Sequence, residues 1–104
     1  CKDSNLSDKL KKTIMERFSN EIINVKSVLL RPMGMATDAE VHVEIDGRKR
    51  FGDVDLLLID IEMVVRSKFP TLASLTIIPH SSNEYQQYHQ QNEVQQSLIT
   101  EIKN

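Results

Sequence analysis

Residues 40 to 45 alternate strictly: Val41, Val43 and Ile45 on one side, Glu40, His42 and Glu44 on the other. A period of two belongs to a β-strand with one buried face and one polar face. A slip of one residue would turn the valines to water, so the pattern also fixes the register. Asp46-Gly47 then supplies a turn. Upstream, 24–31 is rich in Val and Leu and is broken by Pro32 and Gly34. The short stretch from Met33 to Thr37 predicts that the two strands form an antiparallel hairpin.

Helices flank this hairpin. Over 7–20, Leu10, Ile14 and Phe18 recur at four-residue steps, with Ile22 continuing the series, and Ser7 and Asp8 read as the N-cap and first turn. A second helix is predicted from a cap at Asp53 to about Lys68, with Val54, Leu57, Leu58, Ile61, Val65 and Phe69 on its inner stripe. Leu56, Ile59 and Met63 lie off that stripe, so its apolar arc is wide enough for deep burial or a partner surface. Phe69-Pro70 stops it, because the residue before proline disfavours the α region. A third strand is expected over 72–78, ended by Pro79. Ser81-x-x-Glu84 reads as a capping box for a last helix over 83–103, Gln-rich in its first half and carrying Val94, Leu98 and Ile102 in its second.

The order helix, strand, strand, helix, strand predicts an α+β fold with a three-stranded sheet and both helices on one face. We divide the chain into a domain over 1–82 and a helical or partly disordered tail over 83–104. Leu75, Ile77 and the hairpin are more apolar surface than two helices should cover, which predicts a second copy of the chain on the bare face.

Several function classes are disfavoured. The 13 basic residues nearly balance 15 acidic ones, without the clustered basic face of a nucleic-acid binder. The run Arg48-Lys49-Arg50 falls in a turn and reads as solvated. One cysteine, Cys1, cannot build a disulfide framework, so a reducing compartment is the default. The longest apolar run, 54–65, is interrupted by Asp55, Asp60 and Glu62 and falls short of the roughly 20 residues that cross a bilayer. No signal peptide is apparent, so the chain reads as soluble. No nucleophile elbow accompanies the three histidines, and Gly34, Gly47 and Gly52 fit no phosphate loop, so an enzyme is not expected.

Metal chemistry is the remaining signal, in dispersed form. There is no H-E-x-x-H, C-x-x-C or EF-hand loop. Instead His42 stands between two glutamates on a polar strand face, Asp55 lies early in the second helix and His80 follows the third strand. Each also has an ordinary reading: a tolerated strand histidine, a carboxylate suited to a helix start, a loop histidine.

The pattern as a whole resembles the cytosolic C-terminal domain of cation diffusion facilitator transporters. The resemblance runs from about Leu10 to His80 and rests on Ile23-Asn24-Val25, Leu30-Arg31-Pro32-Met33-Gly34, the strand from Glu40 to Ile45, Lys68-Phe69-Pro70 and Thr76-Ile77-Ile78-Pro79-His80. It implies a ferredoxin-like, metallochaperone-like α-β-β-α-β fold that dimerises beneath a membrane part. It also implies a metal site near the dimer interface, with His42, Asp55 and His80 as ligands. Two departures thin that site. Lys26 stands where many members carry a first-strand histidine, and Ser81 or Ser82 where they carry a final carboxylate.

The expected function is that of a cytosolic, metal-sensing dimerisation domain of a divalent cation efflux transporter. Zinc is the foremost metal, with manganese or iron also compatible. The expected partners are a second copy and the transmembrane part of the same parent chain, with no nucleic acid. The alternative is a stand-alone α+β protein–protein interaction module without metal.

Overall fold

A computed structural model describes the backbone of residues 2–82 and the side chains of 5–82. The elements run α1 (Lys2–Phe18), β1 (Asn24–Met33), β2 (Ala36–Ile45), α2 (Phe51–Lys68) and β3 (Leu72–Ser81). The sheet order is β1-β2-β3, antiparallel between β1 and β2 and parallel between β2 and β3. A parallel neighbour needs a crossover, and α2 is that crossover.

The alternation of β2 determines what the sheet faces. Ala39, Val41, Val43 and Ile45 are buried, while Glu40, His42 and Glu44 are half-buried on the other side. The buried face packs with Leu10, Ile14 and Phe18 of α1 and Leu57, Ile61 and Val65 of α2 into a single core. Both helices therefore lie on one face, as the element order requires.

Five boundaries differ from the sequence reading. Helix α1 begins at Lys2, which puts Ser7 inside it. Leu6, four residues before Leu10, packs against the core and extends the apolar stripe, which outweighs the local capping preference of Ser7. Helix α2 begins two residues before Asp53, with Arg50 in extended conformation at its cap and no side-chain cap bond. Asp53 falls in the first turn instead, where a carboxylate still suits the helix dipole. Strands β1 and β3 run through Pro32 and Pro79 rather than ending before them, since both are edge strands and an edge proline gives up no ladder bond the sheet depends on. Strand β2 likewise starts at Ala36, four residues earlier than the alternation marks.

The hairpin turn is tight. Met33 pairs with Ala36 around Gly34 and Met35, and Gly34 has φ +66°. Positive φ at the first of two loop residues matches a type II′ turn, which suits the twist of the strands. After β2 the turn at Asp46 closes through Lys49 N–H donating to the Asp46 carbonyl at 3.0 Å.

The apolar surplus is smaller than expected. Leu75 is buried and Ile77 packs against the core, so two helices do cover them. Among the large apolar side chains that stay bare are Leu29 and Met33 on the outer side of β1, Leu56, Ile59 and Met63 on the solvent side of α2, and Phe51 at its start. The expected last helix over 83–103 lies outside the described residues; Ser81, its expected cap, is the last residue of β3. Among the described residues no helix is long and apolar enough to cross a membrane.

Candidate metal centre

The parallel register of β2 and β3 sets Glu44 beside His80 and His42 beside Ile78. Alternation then puts His42 and His80 on the same outer face, one step apart along neighbouring strands. Their rings lie nearly parallel, centroids 5.0 Å apart, with Nδ1 of His42 2.7 Å from Nε2 of His80. On the opposite edge of the His42 ring, Nε2 lies 2.7 Å from Oε2 of Glu40. Glu40 and His42 are two apart in β2 and so share that face.

The three side chains form a line: carboxylate, imidazole, imidazole. With the Nε2–H of His42 donating to Glu40, one proton bridges the two rings. A carboxylate on one ring nitrogen is the usual orienting partner of a metal-ligating histidine, and it leaves the other nitrogen directed at the ligand site. Here that other nitrogen is directed at His80. These two facing nitrogens, Nδ1 of His42 and Nε2 of His80, are the atoms that would hold a divalent ion, in place of the bridging proton. The imidazole and carboxylate donors fit zinc, manganese or iron. Glu40 and His80 approach His42 from opposite ring edges, however. Accordingly, among the described residues no three ligating side chains are grouped so as to hold an ion as they stand.

Asp55 stands apart. It is exposed on α2, which packs on the other side of the sheet, and no hydrogen bond or ion pair joins it to either histidine among the described residues. Lys26 is exposed at a β-bulge, where the β1–β2 register shifts between Val25 and Ser27. Ser82 is exposed and Ser81 half-buried at the end of β3. The structure thus brings together His42 and His80, and adds Glu40 as their partner. The signal for Glu40 was present as glutamate two residues before histidine on an alternating strand.

Beside this face, the turn after β2 is fastened by charge. Arg48 donates from Nε and Nη2 to the Asp46 carboxylate at 3.1 and 2.9 Å, and its backbone N–H donates at 2.9 Å. These bonds to Arg48 hold the Asp46 carboxyl at about 2, below its ordinary 3.8.

Comparison with known families decides the lineage. Residues 3–78 match the family described as cation efflux protein, cytoplasmic domain. The chain belongs to that family, the cytosolic domain of cation diffusion facilitators. No curated relative matches this cation efflux domain by sequence. Among solved structures it is similar to substituted forms of the MamM C-terminal domain. A cadmium form is 16% identical, with TM-score 0.64, covering 71% of this chain and 90% of that one. A manganese form is 15% identical with TM-score 0.64 and coverage of 71% and 91%. A nickel form is 16% identical with TM-score 0.61 and coverage of 71% and 96%. At this identity the likeness establishes the shared α-β-β-α-β, metallochaperone-like fold of the cation efflux domain.

Proposed function

We propose that residues 1–82 form the regulatory, metal-sensing dimerisation domain of a divalent cation efflux transporter, on the cytoplasmic side of a membrane, with 83–104 as a separate tail. The observation that carries this reading is the Glu40–His42–His80 line on the sheet face the helices leave bare. The MamM forms with cadmium, manganese and nickel support a divalent ion as the ligand. Zinc is the foremost candidate for this donor set, with manganese or iron next. His42 and His80 supply imidazole donors, and Asp55 on α2 is the proposed third donor. The domain is not an enzyme in this reading. Its partners are a second copy of itself and the transmembrane part of the same parent chain.

The regulatory logic is electrostatic. Glu40 and Glu44 put negative charge on the bare face, and Asp55 adds more on α2, so two copies repel until that charge is neutralised. Neutralisation by a bound cation shifts the population from a splayed pair toward a closed one.

Calorimetric titration with Zn²⁺ and Mn²⁺, repeated on His42→Ala and Asp55→Ala, tests the site. Affinity unchanged by His42→Ala would remove it, and affinity unchanged by Asp55→Ala would confine it to the sheet. The second reading, a protein–protein interaction module without metal, is favoured by the exposed Leu56, Ile59 and Met63 of α2. Light scattering with and without chelator separates the two, since a purely structural pair ignores chelation.

A further inference from the structure

On the helix side of the sheet, away from His42 and His80, a cleft of about 480 Å³ opens between α1 and the end of α2. Lys9, Lys12, Thr13 and Glu16 line it from α1, at the three- and four-residue steps that share a helix face. Lys68 and Phe69 line it from the end of α2. Three ammonium groups against one carboxylate leave a positive cleft in a chain whose formal charge is −2.

Lys68 has a local reason for its place, since a cation suits the last turn of a helix. Lys9 and Lys12 have no such reason. They stand in the middle of α1, three residues apart, where like charges repel. Glu16 offsets little of this, because its ion pair with Lys12 is 3.9 Å long and both side chains are exposed. Neither Lys9 nor Lys68 has a carboxylate partner among the described residues.

Thr13 supplies an independent sign. It is only 8% exposed, and a buried hydroxyl ordinarily has a partner, inside a helix often the carbonyl four residues back. Among the described residues no hydrogen bond engages this one. Nor is it sealed into the core, since no fully buried side-chain oxygen or nitrogen among them lacks a partner. The hydroxyl therefore opens on the cleft that Thr13 lines, a free donor beside unpaired ammonium groups.

We propose that this cleft binds a phosphate monoester group, carried by a lipid headgroup or by a soluble compound. Lys9, Lys12 and Lys68 surround the group, the Thr13 hydroxyl donates to one of its oxygens, and Phe69 walls its organic part. A phosphate monoester carries about two negative charges at neutral pH and three strong acceptor oxygens, which matches the excess of lysines and the free donor. An occupant touching both elements ties α1 to the end of α2, on the face opposite the histidines. It needs no metal.

In the full 104-residue chain, glycerol phosphate should shift the amide resonances of Lys12, Thr13 and Phe69 saturably at constant ionic strength. Thr13→Val should weaken that binding roughly tenfold, whereas Thr13→Ser, which keeps the donor, should preserve it. The doubly reversed Lys9→Glu, Lys68→Glu chain should lose it; both positions are exposed, so the fold should survive. His42→Ala, which tests the metal reading, should leave it unchanged. Sedimentation with phosphatidylcholine vesicles that contain phosphatidic acid, weakened by the same variants, would assign the phosphate to a lipid. Binding of glycerol phosphate without sedimentation would assign it to a soluble compound, and both results uphold the site. Neither saturable shifts nor sedimentation would overturn the proposal. So would binding indifferent to either Thr13→Val or the charge reversal, the first meaning diffuse attraction to surface lysines.

Discussion

The two faces of β2 are built from alternate residues of one strand, yet they answer to different physics. Val41 and Val43 are fully buried and make no polar contact, so they are exchangeable for anything apolar of like volume. Glu40 and His42 add little to the core, yet they hold specific partners at 2.7 Å. One face sets whether the chain folds; the other sets what the folded chain can bind. Their separation is testable, because each face can be altered without touching the other.

The largest expected effect is on the core face. Val41→Asp puts an unpaired carboxylate where exposure is 0%, inside the apolar cluster that the sheet shares with both helices. That costs several kcal/mol, comparable with the whole stability of roughly 5–15 kcal/mol, and the variant should lose its cooperative thermal transition. Ile61→Ala, on the helix side of the same core, should cost about 2–5 kcal/mol while still folding, as read from urea midpoints. A mild effect from Val41→Asp would mean that the two faces are not as separate as their burial implies.

These core positions were legible in the sequence because burial follows period. Leu10, Ile14, Phe18 and Ile22 at four-residue steps, and Val41, Val43 and Ile45 at two, are all buried. Local signals misled where tertiary context overrode them. Pro32 and Pro79 read as strand ends until β1 and β3 are known to be edges. The site was less legible. His42 and His80 are 38 residues apart, and only the parallel β2–β3 register, a consequence of where α2 packs, makes them neighbours. Asp55 was joined to them by resemblance, and no contact among the described residues brings it near.

On the polar face the effects should be in binding rather than in folding. Glu40→Gln keeps the shape and removes the charge that orients His42. An orienting carboxylate of this kind is worth about 10–100-fold in metal affinity, and calorimetry should show a loss in that range with the melting temperature nearly unchanged. A loss as complete as that of His42→Ala would make Glu40 a ligand in its own right. No loss would leave the carboxylate as a bystander. Either outcome sharpens the contrast, since neither disturbs the valines on the other side of the strand.

The smallest effect is expected just past the end of β2, where neither face applies. Asp46 is half-exposed, and its carboxyl is held at about 2 by the bonds from Arg48. A carboxyl whose pKa is lower folded than unfolded stabilises the fold when ionised. That stabilisation is complete above the ordinary 3.8 and is lost as pH falls through about 2. Asp46→Asn should therefore lower the urea midpoint slightly at neutral pH, and the gap from the unaltered chain should close between about 4 and 2. Arg48→Ala removes the largest cause of the shift, so in the Asp46→Asn background it should add almost nothing. A full additional loss would show that Arg48 acts through some other contact, and that the turn is held by more than this one pair.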